Sequence, residues 1–148
     1  MNPDALFGAW TLQSAQFEFE DGADAIEIYG PDPTGRIIFS PDFRMVALIT
    51  ASGRGPPEPP TETAGLFSSM MGYSGAYRFS GPSTIVTRVD IAWHPAWVGT
   101  EQVRHVALDG DRLALWSNPQ THPAYDNRIG VGRLVWVRTS PPAPGEHT

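Results

Sequence analysis

The sequence predicts an all-β domain, either a sandwich or an antiparallel barrel of about eight or nine short strands. Two observations carry that prediction. Apolar residues recur with a period of two over most of the chain, the spacing that puts alternate side chains on one face of a strand. Fifteen Gly and fifteen Pro among 148 residues break the chain into short elements and leave no room for long helices. The hydrophobic fraction of 41% is enough for one core, and a charged fraction of only 18% argues against a disordered chain. The length suits a single domain, taken here as residues 1–139.

In chain order, Asp4 to Ala9 is expected to form one helical turn capping an end of the domain. Trp10 to Glu20 reads as a strand, Asp21-Gly22 as a turn, and Ala25 to Tyr29 as a segment that pairs back. Gly35 to Ser40, the Pro41-Asp42 turn and Phe43 to Thr50 form a hairpin. Arg44, Val46 and Leu48 lie on one of its faces, and Phe43, Met45, Ala47 and Ile49 on the other. Gly72 to Ser80 and Ser83 to Trp93 flank Gly81-Pro82 as a second hairpin. Glu101 to Leu108 and Asp111 to Ser117 flank Asp109-Gly110 as a third, and Val131 to Thr139 is the last strand.

Three segments break the period. Residues 51–71 start with the Pro-rich run Gly53 to Pro60, which is expected to be extended; Thr63 to Met71 is expected to form a short helix. Such a long loop is either a functional lid or a surface insertion. Asn118 to Gly130 is a polar loop with His122, Tyr125 and Arg128. Ser140 to Thr148, with three prolines, is expected to be a disordered tail.

Composition excludes several chemistries. Cys is absent, which removes disulfides, thiolate metal sites and Cys nucleophiles. All ten basic residues are Arg, so neither a Schiff-base lysine nor a phosphate-loop lysine exists. The net charge of −6 disfavours nucleic acid and anionic membranes as partners. No apolar run approaches the ~20 residues of a membrane span, and the first residues lack signal-peptide order. A cytoplasmic location is expected. The four His are scattered at 94, 105, 122 and 147, so no metal is expected, and no other cofactor is called for; phosphate-loop and nucleophile-elbow motifs are missing. A homodimer is left open.

Gly8-Ala9-Trp10 at the first strand, with Arg138 late in the last, resembles the lipocalin pattern. The match widens through Tyr29-Gly30, Gly35 to Phe39, Asp42 to Met45, Tyr73 to Tyr77, Pro95 to Arg104, Gly110 to Leu115 and Leu134 to Arg138. These stretches resemble the bacterial single-domain lipocalin-like family over most of residues 6–138. The resemblance implies an up-and-down antiparallel barrel with one closed end, an Arg packed over the Trp ring and an internal pocket for a small molecule. It does not imply which molecule, and the fold hosts both carriers and enzymes.

In a small barrel alternate residues point inward. Tyr73, Gly75, Tyr77 and Phe79 share a face, and the glycine leaves either a gap for a ligand or a simple bend. On the next strand Ile85, Thr87, Val89, Ile91 and Trp93 form the apolar face, with Thr87 its inward polar member. The family often carries His near this position; Thr87 followed by Arg88 departs from that and puts a family-type imidazole role in doubt. Gln102, Arg104, Val106 and Leu108 are placed inside. An inward Arg104 is a carboxylate clamp, a structural arginine at the barrel mouth, or, in the opposite register, a solvated one. His94, among Trp93, Pro95 and Trp97, is the candidate for proton transfer. Trp97 and Trp116 are candidate pocket walls.

Two functions compete on these residues. One is binding of a small, mostly apolar ligand, aromatic or carboxylate-bearing, oriented by Tyr73, Gly75, Thr87, Trp97 and Trp116 together with Arg104. The other is a cofactor-independent isomerase, cyclase or lyase using Tyr77, His94 and Arg104. An interaction module built on the Pro-rich loop ranks third.

Overall fold

A computed structural model describes residues 1–58, 62–122 and 125–140. The strands are β1 (Gly8–Phe19), β2 (Ile26–Glu27), β3 (Thr34–Phe39), β4 (Arg44–Thr50), β5 (Met70–Phe79), β6 (Thr84–Ala92), β7 (Glu101–Asp109), β8 (Arg112–Trp116), β9 (Gln120–His122) and β10 (Arg128–Arg138). One short helix, α1 (Thr63–Ser68), precedes β5, and 3-10 turns occupy Pro3–Leu6 and Pro95–Trp97. Every strand pairs antiparallel with its neighbours in the order β2-β1-β3-β4-β5-β6-β7-β8-β10-β9, and β1 also pairs with β10. That last pairing closes eight strands into a barrel, with β2 and β9 appended at one end. Closure removes the unpaired edges that an open sheet would expose.

The period-two pattern does what it predicts. In β3 and β4 burial alternates strictly, with Ile37, Phe39, Met45, Ala47 and Ile49 inside. Tyr73, Gly75 and Tyr77 face inward from β5, and Gln102, Arg104 and Val106 belong to the inward set of β7. Arg104 is therefore inside.

One end is plugged. Pro3–Leu6 crosses it, with Asn2 Oδ1 capping the turn by accepting from the Asp4 N–H at 3.1 Å. Leu6 is fully buried, and its carbonyl accepts from Trp10 Nε1 at 2.9 Å. The Arg138 guanidinium lies 4.2 Å from the Trp10 ring centroid and donates to the carbonyls of Ala5 and Phe7. The aromatic cluster of Phe39, Phe43, Tyr77 and Phe79 belongs to this half of the barrel.

Several expectations shift. The third hairpin loop is Gly110-Asp111, one residue later than Asp109-Gly110, because Asp109 still pairs with Arg112; Gly110 takes the positive φ (+59°) that the first loop position of such a turn requires. Only Thr63–Ser68 is helical, since Met70 and Met71 already pair with Thr50 and Ile49 as β5. The polar segment after Asn118 contains β9 and the start of β10, paired from Arg128↔His122 to Gly130↔Gln120.

Ile91 faces outward. The ladder slips between Ser74↔Ile91 and Gly75↔Val89, leaving Asp90 as the extra residue of a bulge, so parity flips beyond it. Pro59, Pro60 and the tail from Pro141 lie outside the described residues, and with them the polyproline and tail expectations. Among the described residues no helix is long and apolar enough to cross a membrane.

Candidate functional site

Opposite the plugged end the interior is not filled. A cavity of about 220 Å3 lies among side chains of both barrel and loops. Its walls are largely aliphatic and aromatic, including Phe17, Ile37, Met71, Leu115 and Trp136. At the mouth stand Tyr29 from the segment after β2, Trp93 and Trp97 from the β6–β7 connection, and His122 from β9. The mouth residues are held by one another. Trp97 packs at 5.3 Å from Tyr73 and 5.1 Å from Trp93, and His122 stacks on Tyr125 at 4.4 Å. The edge-on and tilted ring pairs are the geometries that aromatic quadrupoles favour.

Arg104 supplies the cavity's formal positive charge, and no carboxylate is found among the described residues that line it. The guanidinium donates through Nη1 to the Val103 carbonyl at 2.8 Å and through Nη2 to Gln102 Oε1 at 3.2 Å. Gln102 Nε2 donates to Thr100 Oγ1 at 3.0 Å, and Thr100 Oγ1 donates to the Trp97 carbonyl at 2.6 Å. This chain fixes the Gln102 amide with its oxygen toward Arg104 and ties the guanidinium to the loop that carries Trp97. Neither acceptor neutralises the charge, so the site holds a cation in partly apolar surroundings.

The nearby phenols respond to that environment. Burial pushes the Tyr29 hydroxyl up to about 12, with the Arg104 charge pulling the other way. Burial raises Tyr73 as well, again opposed by Arg104. Both phenols stay protonated at neutral pH and are available as O–H donors. The constellation therefore offers a guanidinium fork, two phenolic donors and a primary amide at one end of an apolar chamber. Such a set complements an anion with a hydrophobic body.

The structure gathers Tyr73, Trp97 and Arg104 around this cavity and leaves the other sequence candidates elsewhere. Tyr77 belongs to the plugged half, where its ring packs on Phe39 and Phe43. Its Oη is buried with no partner among the described residues, and burial, then the charges of Asp42 and Asp4, push its pKa up to about 12. Thr87 is buried opposite Tyr77 and does not line the cavity.

Gly75 leaves no gap for a ligand. A Cβ there would overlap the Arg88 carbonyl oxygen and stand 3.1 Å from Thr87 Cγ2, so the glycine admits the bulged neighbouring strand. His94 caps the Pro95–Trp97 turn, Nδ1 accepting from the Ala96 N–H at 3.1 Å, and packs on Phe67 outside the cavity. Trp116 points out of the barrel: Leu113, Leu115 and Ser117 take the inward positions of that segment, and Arg133 covers the Trp116 ring at 4.7 Å. Trp136 is buried and forms part of the cavity wall.

Tyr29 and Gln120 have no site role in the sequence reading, since both lie in short segments that carry no clear alternation. Gln102 was placed inward without a role. Among the described residues no group of three His, Asp or Glu side chains is gathered that could hold a metal ion.

A family model described as a lipocalin-like domain matches residues 7–139. No curated protein matches the chain.

Proposed function

The chain belongs to the lipocalin-like domain family, and on that premise we propose that it binds a small, mostly apolar molecule carrying a carboxylate, with the acid group at Arg104 and the body against the aromatic walls. The observation that carries this reading is a chamber of about 220 Å3 holding a guanidinium and no counter-charge among its described lining residues. An apolar cavity of about 150 Å3 takes up benzene, so this one suits a single ring with a short acidic arm, on the order of ten non-hydrogen atoms. Binding is preferred over turnover because Tyr77 and His94, the expected proton-transfer groups, do not line the chamber.

The test compares arylalkanoic acids with their primary amides, read by quenching of the tryptophans at the site and by the shift in melting temperature. The acids should bind and the amides should bind more weakly. Arg104→Met should weaken the acids roughly 10- to 100-fold, the equivalent of losing one charge-assisted hydrogen-bonding group of about 1.5–3 kcal/mol, and leave the amides unchanged. Equal affinity for acids and amides in the native protein removes the role given to Arg104; no binding by either removes the function.

A further inference from the structure

Ser117, the residue after β8, brings a buried hydroxyl to the chamber; it is only 6% exposed and lines the cavity. Its place beside Arg104 follows from register. β7 pairs with β8 at His105↔Trp116, and β8 with β10 at Trp116↔Arg133. One step on, the same register sets Arg104, Ser117 and Gly132 side by side on the inner face, where all three line the chamber. The Ser117 N–H donates to the Gly132 carbonyl at 3.0 Å, and Ser117 Oγ accepts from the Gly132 N–H at 3.1 Å. A hydroxyl facing an N–H donor turns its own hydrogen elsewhere, and among the described residues nothing accepts that hydrogen.

Gly132 keeps the space in front of this hydroxyl open. A Cβ there would stand 3.8 Å from Ser117 Oγ and 4.0 Å from Ile28 Cδ1, ordinary contact distances, so the missing side chain leaves a niche rather than avoiding a clash. We propose that the molecule held at Arg104 is a 2-oxo acid, with Ser117 Oγ–H donating to the keto oxygen beside the carboxylate. This rests on the reading that places an acid group at Arg104, and it names the class of acid.

The argument is a count of donors. A carboxylate offers about four acceptor sites. Arg104 spends one N–H on the Val103 carbonyl and one on Gln102 Oε1, which leaves a pair for bidentate contact. The phenols of Tyr29 and Tyr73, which both feel the Arg104 charge, supply donors for the remaining two sites. Ser117 is then a donor beyond what the carboxylate takes. A buried donor left without an acceptor is costly, so the ligand needs one more acceptor oxygen. That oxygen lies next to the acid group because Ser117 lies next to Arg104. A keto oxygen at C2 meets the requirement and carries no hydrogen. A hydroxyl there would bring a further donor to a niche that already has a surplus.

Phenylacetate, mandelate and phenylglyoxylate test it on the full chain, since they share ring and carbon skeleton and differ only at C2. Tryptophan quenching and the shift in melting temperature give a Kd for each. The native protein should bind phenylglyoxylate roughly tenfold tighter than phenylacetate, the effect of one well-made hydrogen bond, and tighter than mandelate. Ser117→Ala should bring the phenylglyoxylate and phenylacetate Kd values together. Gly132→Ala, which fills the niche and keeps the hydroxyl, should do the same. Equal Kd values for these two acids in the native protein overturn the 2-oxo assignment and leave the acid reading standing. So does mandelate binding tightest, or a preference for phenylglyoxylate that survives either variant. No binding by any of the three removes the acid reading, and the 2-oxo assignment with it.

Discussion

Arg138→Met should cost the protein about 2–3 kcal/mol of stability, a sum that can be assembled from what the guanidinium touches. Its Nη2 donates to the Ala5 carbonyl at 2.9 Å and its Nη1 to the Phe7 carbonyl at 3.1 Å, so two groups of the plug hang on it. Hydrogen bonds from a charged donor contribute about 1.5–3 kcal/mol when fully desolvated; the Arg138 side chain is 34% exposed, and about 1 kcal/mol each is a fair discount. The cation over Trp10 at 4.2 Å adds about 0.5–1 kcal/mol. The third contact, Nε to Asp111 Oδ1 at 3.1 Å, contributes little because Asp111 is 83% exposed. For a domain of this size the loss lowers Tm by roughly 5–10 °C, whereas Asp111→Asn should lower it by about 2 °C at most. Calorimetry with matched urea titrations reads both. If Arg138→Met stays within about 0.5 kcal/mol of the native protein, or if Asp111→Asn costs as much, the plug is not held as described here.

Three further outcomes follow from the same geometry. Tyr77→Phe removes a buried hydroxyl without a partner among the described residues, so urea unfolding should show unchanged or slightly higher stability, and acid binding should not move; a loss of binding would return Tyr77 to the site. Gly75→Ala drives a methyl into the Arg88 carbonyl and should destabilise by about 1–3 kcal/mol, read by thermal melting; a neutral result would mean that the bulge relaxes freely. Tyr29, Tyr73 and Tyr77 all have folded-state pKa values above the ordinary value of 10, so the unfolded chain releases these protons first as pH rises. Stability should therefore be intact below pH 10 and fall between about 10 and 12; ionisation of these phenols near pH 10 in a protein that stays fully folded would contradict it.

The barrel was legible because its signals are local. Strand alternation in Arg44–Thr50 and the turn residues between hairpins are set by neighbours in sequence, and they place Met45, Ala47, Tyr73 and Arg104 on the correct face. What failed depends on non-local facts. Ile91 reads as inward until the ladder slips at Asp90, a slip fixed by how β6 meets β5. Trp116 is the exception, a local miss: it has the size of a wall residue, but the alternation of Leu113 and Leu115 in its own strand sends it out, where Arg133 and His105 cover it. The chamber itself is assembled from segments far apart in the chain, with Tyr29, Trp97 and His122 meeting only once the sheet has closed. Period two gives the direction of a side chain but not its height along the barrel axis, which is why Tyr73 reaches the chamber and Tyr77, on the same face, does not.

The seam between β1 and β10 has a kinetic consequence. Thr11 and Thr139 share a hydrogen bond at 2.7 Å although 128 positions separate them, while most other ladders join strands that are consecutive in the chain. Hairpins can zip early and locally; the seam must wait until the chain has curled through a full circle and its entropy of loop closure has been overcome. Refolding should accordingly be limited by one late, collective event, and substitutions along β1 and β10 should show in the speed at which the circle shuts as well as in how firmly it stays shut.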